Sequence, residues 1–131
     1  MNPARNSTVL VVDDDTAVRQ TLGAMVEHIG YAARLAASGP DGVRVYRRHR
    51  DEIAAVVLDV LMPGQDGPQT LDELRAVNPD LPCVFLTGNS GGYTRQELEG
   101  RGAVLLAKPV GVADLDRAIR AASGRGEAAS G

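Results

Sequence analysis

The feature that most constrains this chain is an alternation. Five short apolar runs, Thr8–Val12, Ala32–Ala36, Ala54–Leu58, Cys83–Thr87 and Val104–Ala107, are separated by stretches whose apolar residues recur at helical spacing. Val18, Leu22, Val26 and Ile29 lie on one helix face. Val43 and Tyr46 begin a second pattern, introduced by Ser38 with Asp41 three residues on, close to a capping box. Leu71, Leu74 and Val77 mark a third. Val112, Leu115, Ala118, Ile119 and Ala122 mark the last. The stretch 93–101 is a poor helix by pattern, with Leu98 its one strong apolar residue. Runs that are apolar on both faces and alternate with helices predict a parallel sheet covered on each side. With right-handed crossovers, the expected fold is an α/β domain: a five-stranded, doubly wound parallel sheet with helices on both faces.

Turn chemistry falls between these elements. Gly30 stands where a helix ends in a left-handed residue. Asn78–Pro82 separates the third helix from the fourth strand. The segment SGRGEAASG at 123–131 is small, polar and glycine-rich and reads as a loose tail, as do residues 1–6.

Composition narrows the function. The net charge of -3 and an aromatic content of 3% argue against direct nucleic-acid binding, which needs a basic stripe or stacking rings. The single cysteine, Cys83, sits in an apolar run. It can form neither an internal disulfide nor a cysteine-based zinc site, and reads as a small buried hydrophobe. No apolar run approaches the roughly 20 residues of a membrane helix, and the N-terminus lacks a signal-peptide pattern. A cytoplasmic location is the expectation.

In open α/β sheets, ligands bind beyond the carboxyl ends of the strands. Strand one ends in Asp13, Asp14 and Asp15, strand three in Asp59, strand four in Thr87 and strand five in Lys108. Asp15 precedes a helical pattern and reads as an N-cap. Each residue alone has an ordinary surface reading, but together they bring carboxylates, a hydroxyl and an ammonium to one edge. Clustered hard oxygens suit Mg²⁺. A divalent ion turns their mutual repulsion into shared attraction. The turn around Pro63, Gly64 and Gly67 holds backbone carbonyls that could complete a metal shell. Gly88 leaves space beside Thr87. The glycines at 88–92 match neither a Walker loop nor a dinucleotide fingerprint. Lys108 precedes Pro109, at a bond where a cis peptide is cheap and would set the lysine's direction.

The ordered stretches VLVVDDD, VVLDVLMPGQDG, FLTG and LLAKPV resemble the receiver domain of bacterial two-component response regulators, chemotaxis regulators among them. The resemblance covers residues 7–122, which it marks as the domain. It implies a flavodoxin-like strand order of 2-1-3-4-5. It implies that Asp59 is the phosphoacceptor and that Asp13, Asp14, Asp59 and the Leu61 backbone carbonyl hold Mg²⁺ or Mn²⁺. Thr87 and Lys108 would contact the phosphoryl group, and Leu61 and Asn89 would tune its hydrolysis. The implied partners are a histidine kinase or phosphotransfer protein. A target, or a second copy in a homodimer, would use a face of helix four, strand five and helix five. No enzyme activity beyond the domain's own phosphorylation and dephosphorylation is implied. The chain departs from the family at the switch position on strand five, where Leu105 replaces the usual aromatic; Gly88, beside Thr87, is the other residue given to the switch. Two other readings compete: a receiver-like adaptor independent of phosphorylation, and a small aspartyl-phosphate hydrolase. The latter typically wants a second aspartate where Leu61 stands.

Overall fold

The computed structural model describes residues 7–88 and 91–130, with side chains through residue 124. The reading of residues 1–6 as loose, and the role given to Asn89, lie outside the described residues. In chain order the elements are β1 (Thr8–Val12), α1 (Thr16–Ile29), β2 (Ala32–Ala36), α2 (Gly39–His49), β3 (Ile53–Asp59), α3 (Gly67–Val77), β4 (Cys83–Thr87), α4 (Arg95–Glu99), β5 (Val104–Ala107) and α5 (Val112–Ser130). All strands are parallel, in the order β2-β1-β3-β4-β5.

Side chains alternate across the strands and so divide into two cores. Leu10, Val12, Val56, Leu58 and Phe85 pack with Val43 and Tyr46 of α2 and Leu71 and Leu74 of α3. Val9, Val11, Val57, Val84 and Leu86 pack with Leu22 and Val26 of α1 and Leu115 and Ile119 of α5. Burying each such aliphatic side chain contributes about 1.5–3 kcal/mol. The central strands β1, β3 and β4 are therefore almost wholly buried. The edge strands are not: β2 exposes Ala32 and Leu35, and β5 is half-buried. Being apolar on both faces thus holds for the middle of the sheet, while each edge strand has a neighbour on one side only.

The boundaries follow local chemistry. The Asp15 side chain accepts from the Val18 amide at 3.2 Å and caps α1. Gly30, at φ 123, ends it by donating to the carbonyls of Glu27 and Val26 at 3.1 and 3.2 Å. Ser38 caps α2 through the Asp41 amide. Asp66 and Gln69 form a reciprocal capping box at the start of α3, and Thr94 and Glu97 do the same for α4. With that box but a single buried anchor, Leu98, α4 is only five residues long. At the other end the last helix runs further than its apolar pattern. The backbone is helical past residue 123, to Ser130. Once a helix is nucleated by packed turns, each further residue adds a hydrogen bond at little cost. Among the described residues no helix is long and apolar enough to cross a membrane.

Candidate functional site: an acidic cluster paired with one lysine

Parallel strands place all five strand-to-helix connections on one edge, and the polar residues singled out in the sequence sit there. Asp13 follows β1 directly and is fully buried, while Asp14 beside it is exposed. Asp59 is the last residue of β3 and only 6% exposed. Carboxylate oxygens of Asp13, Asp14 and Asp59 all lie within 4.8 Å of one another, so the three could hold a metal ion. The Lys108 ammonium reaches in from just beyond β5. It stands 3.4 Å from Asp13 Oδ2 and 3.4 Å from Asp59 Oδ1. The Lys108–Pro109 peptide bond is cis.

The two buried carboxylates are not equivalent. Asp13 Oδ1 accepts the Asp15 amide at 2.9 Å, and its Oδ2 accepts from Lys108. Among the described residues, Asp59 has Lys108 as its only side-chain partner. Burial raises the Asp59 pKa above the ordinary carboxylate value. The negative charge of Asp13 raises it further, and Lys108 offsets this only in part. For Lys108, desolvation pulls the pKa down, but Asp59 and then Asp13 outweigh it, and the net direction is upward. Three carboxylates facing one ammonium leave an excess of negative charge at the sheet edge. Hard oxygen donors with that excess are a donor set suited to a divalent cation.

The surrounding backbone is held tightly. Gly67 donates to the Val60 carbonyl at 2.8 Å. A Cβ there would fall 2.4 Å from the Asp59 carbonyl oxygen, so the turn after Asp59 closes only over glycine. Leu61 lies inside that turn with its side chain 46% exposed. Thr87 ends β4 and accepts the Lys108 amide on its backbone carbonyl at 3.2 Å. A Cβ on Gly88 would meet the Lys108 stem at an ordinary 3.5 Å, so this glycine flanks the lysine without being sterically required. Leu105 pairs in register with Phe85 and packs, half-buried, on the α2–α3 side of the sheet. Together with Thr87, Gly88, Arg95 and Leu98 it lines a cavity of about 230 Å³.

Two contributors were not evident from the sequence. Arg19, on the first turns of α1, donates from Nη1 to the Asp13 carbonyl at 2.8 Å and fastens the loop that carries the acids. Nothing in the pattern distinguishes it from a surface arginine. Tyr93 donates its hydroxyl to Asp66 Oδ2 at 2.9 Å, and Arg101 stacks over its ring at 5.6 Å from the centroid. The segment before α4 is thereby tied to the N-cap of α3, the helix that follows the Asp59 turn. The Asp66–Gln69 spacing was a readable cap signal; the tyrosine 27 residues away was not.

Comparison with known proteins agrees with this geometry. A family model for the response regulator receiver domain matches residues 9–120. Response regulator MprA of Mycobacterium leprae is 36% identical over 114 residues, covering 86% of this chain and 49% of MprA. Sensor kinase CckA of Brucella abortus is 39% identical over 83 residues, covering 63% of this chain and 9% of CckA. The chain thus spans about half the length of one relative and under a tenth of the other. A response regulator receiver domain protein from Clostridium thermocellum superposes with a TM-score of 0.82 at 28% identity, over 94% of this chain and 98% of that one. The strand order, the acidic edge and the match across most of the chain lead to one conclusion: the chain belongs to the response regulator receiver domains of two-component signalling, a family of signalling modules rather than classical enzymes.

Proposed function

We propose that this chain is a phosphoacceptor whose Asp59 takes a phosphoryl group from a histidine kinase or phosphotransfer protein, and that the modified domain, residues 7–122, switches its binding to a target. The observation that carries this reading is the pairing of one ammonium with two buried carboxylates beside a third, exposed one. Asp13, Asp14, Asp59 and the Leu61 backbone carbonyl would hold Mg²⁺, or Mn²⁺ in its place. Bound there, the ion would supply counter-charge against the repulsion between the carboxylate and an anionic donor. Asp59 is the nucleophile: its oxygen bonds to phosphorus as the bond from phosphorus to the donor's leaving group breaks. Burial and the charge of Asp13 raise the Asp59 pKa, and Lys108 is its one side-chain partner among the described residues. Asp13 is already committed to the Asp15 amide and to Lys108 and serves to hold charge in place. Lys108 transfers its partnership from carboxylates to the new phosphoryl oxygens, and the Thr87 hydroxyl becomes a donor to them. Catalysis is then positioning and electrostatics.

Leu105 lacks a ring that could turn inward behind Thr87. The readout accordingly runs through Gly88, the rest of the 88–92 loop and α4, toward a face of α4, β5 and α5 that a target or second copy would use. The test is direct. The protein is incubated with a small phosphodonor and Mg²⁺, and intact mass is measured. One phosphoryl adduct, absent in Asp59→Asn, is expected. Absence of both the adduct and any Mg²⁺ response would leave an adaptor that acts by binding alone. For the readout, amide spectra with and without a phosphoryl mimic should differ at residues 88–99, and unchanged signals there would sink that route.

A further inference from the structure

The lateral edge of the sheet formed by β2 has a chemistry that the acidic site does not use. Residues 32–52 carry five of the chain's 14 lysines and arginines, Arg34, Arg44, Arg47, Arg48 and Arg50, against three acids; the rest of the chain has nine against 14. A protein of net charge -3 therefore concentrates positive charge in one region. The structure gathers part of it into a groove of about 430 Å³ between edge strand β2 and helix α2. Asp41, Arg44, Val45 and Arg48 form one stripe of α2 along it, and Arg34 enters from β2. Asp41 pairs with Arg44 at 3.4 Å, and Glu52 pairs with both Arg34 and His49, at 2.6 and 3.2 Å. Arg47, Arg48 and Arg50 make no ion pair among the described residues. Basic residues in the last turn of α2 suit the helix dipole, but that does not account for Arg34 converging from the strand. A lone edge arginine would guard against self-pairing. A groove with arginines on both walls can do more.

The strand beside the groove also offers backbone. The Ala32 amide and the Ala36 carbonyl bond toward the β1 side, at 3.0 Å to Ser7 and 3.2 Å to Asp13. By the two-residue alternation of a strand, the N–H and C=O groups of Ala33 and Leu35 face outward at the sheet edge. Leu35 is 41% exposed there. We propose that the β2–α2 edge is a docking surface for an extended acidic segment of a protein partner, which adds a strand to β2 and sets its carboxylates against Arg34, Arg44 and Arg48. Main-chain pairing supplies affinity and the arginines supply selection for acid, as in other strand-addition complexes. A nucleic acid has no peptide amides to pair with the β2 edge, and the scarcity of aromatic residues leaves its bases little to stack on.

The test uses the full chain and a fluorescein-labelled peptide of alternating glutamate and valine, followed by anisotropy. Saturable binding is expected, with loss of about tenfold or more in affinity for Arg44→Glu/Arg48→Glu, because two charge-assisted contacts are reversed. Both residues are on the surface, and circular dichroism checks that the variant folds. Methylating alternate amides of the peptide, which leaves the protein untouched, should weaken binding as well. Asp59→Asn should bind the peptide like the parent. Unchanged affinity in the double variant or with the methylated peptide would overturn the proposal. So would tighter binding of a single-stranded oligonucleotide, or a shift in self-association by sedimentation that identifies a second copy as the occupant.

Discussion

At the scale of single residues, the site stands on an imbalance between two buried acids. Burial and then the negative charge of Asp13 raise the Asp59 pKa, and Lys108, shared with Asp13, offsets this only in part. An acid whose folded pKa lies above its unfolded value binds a proton in the folded state that the unfolded chain has lost. Stability then falls as pH rises through the window between the unfolded value, about 3.9, and the raised folded one. In Mg²⁺-free buffer Asp59→Asn should therefore melt higher than the parent at pH 7. The gap should narrow as pH is lowered through that window, which calorimetry at a series of pH values would read. Lys108 gives a slope of the same sign in a higher window. Its contribution is complete below the unfolded lysine value of about 10.4 and is lost as pH rises through its raised folded pKa. The Asp59→Asn variant should also fail to form the phosphoryl adduct, which intact mass would show.

At the scale of elements, the turn between β3 and α3 and the tie between α3 and α4 carry the consequences. Gly67→Ala would drive a methyl group into the Asp59 carbonyl, and the backbone at the site has to move. A loss of about 1–3 kcal/mol in urea unfolding is expected, together with weaker Mg²⁺ binding. Gly88→Ala, whose Cβ meets only the lysine stem, should change stability by less than about 0.5 kcal/mol. Tyr93→Phe removes the hydrogen bond to Asp66 and keeps the ring under Arg101. It should cost about 0.5–1.5 kcal/mol, and hydrogen exchange should quicken in α4 rather than at the sheet. Arg75 ties the same region from below, donating to the carbonyls of Leu81 and Arg101. α4 is thus a short helix held by side chains from α3 more than by its own length.

At the scale of the whole molecule, the doubly wound sheet separates charge by edge. The carboxyl ends of the strands gather acids, and the β2–α2 side gathers arginines. A cation that binds only the folded acidic cluster stabilises the whole domain by mass action, by about 2.7 kcal/mol at a hundredfold excess over its dissociation constant. Thermal melts should rise with added Mg²⁺ in the parent and stay nearly flat in Asp13→Asn, with chelator reversing the shift. NaCl at matched ionic strength serves as the control for general screening.

Much of this was legible in one dimension. Apolar runs and helical spacings placed all five strands to within one residue at each end, because burial on both faces leaves little choice of residue in a central strand. The strand-end residues Asp13, Asp14, Asp59 and Lys108 were legible for a related reason: parallel strands must all end on one edge, so residues far apart in sequence share it. The sequence could not show which acid would be the odd one. That depends on where the Asp15 amide and a single ammonium fall in space, at 2.9 and 3.4 Å. Nor could it show Arg19 on the Asp13 carbonyl, Tyr93 on Asp66, or arginines from a strand and a helix converging on one groove. Such contacts between polar side chains leave no periodicity behind, since any exposed position admits the same residue. Periodicity and strand ends set the architecture and the membership of the acidic edge, whereas only tertiary packing decided how charge is distributed within it.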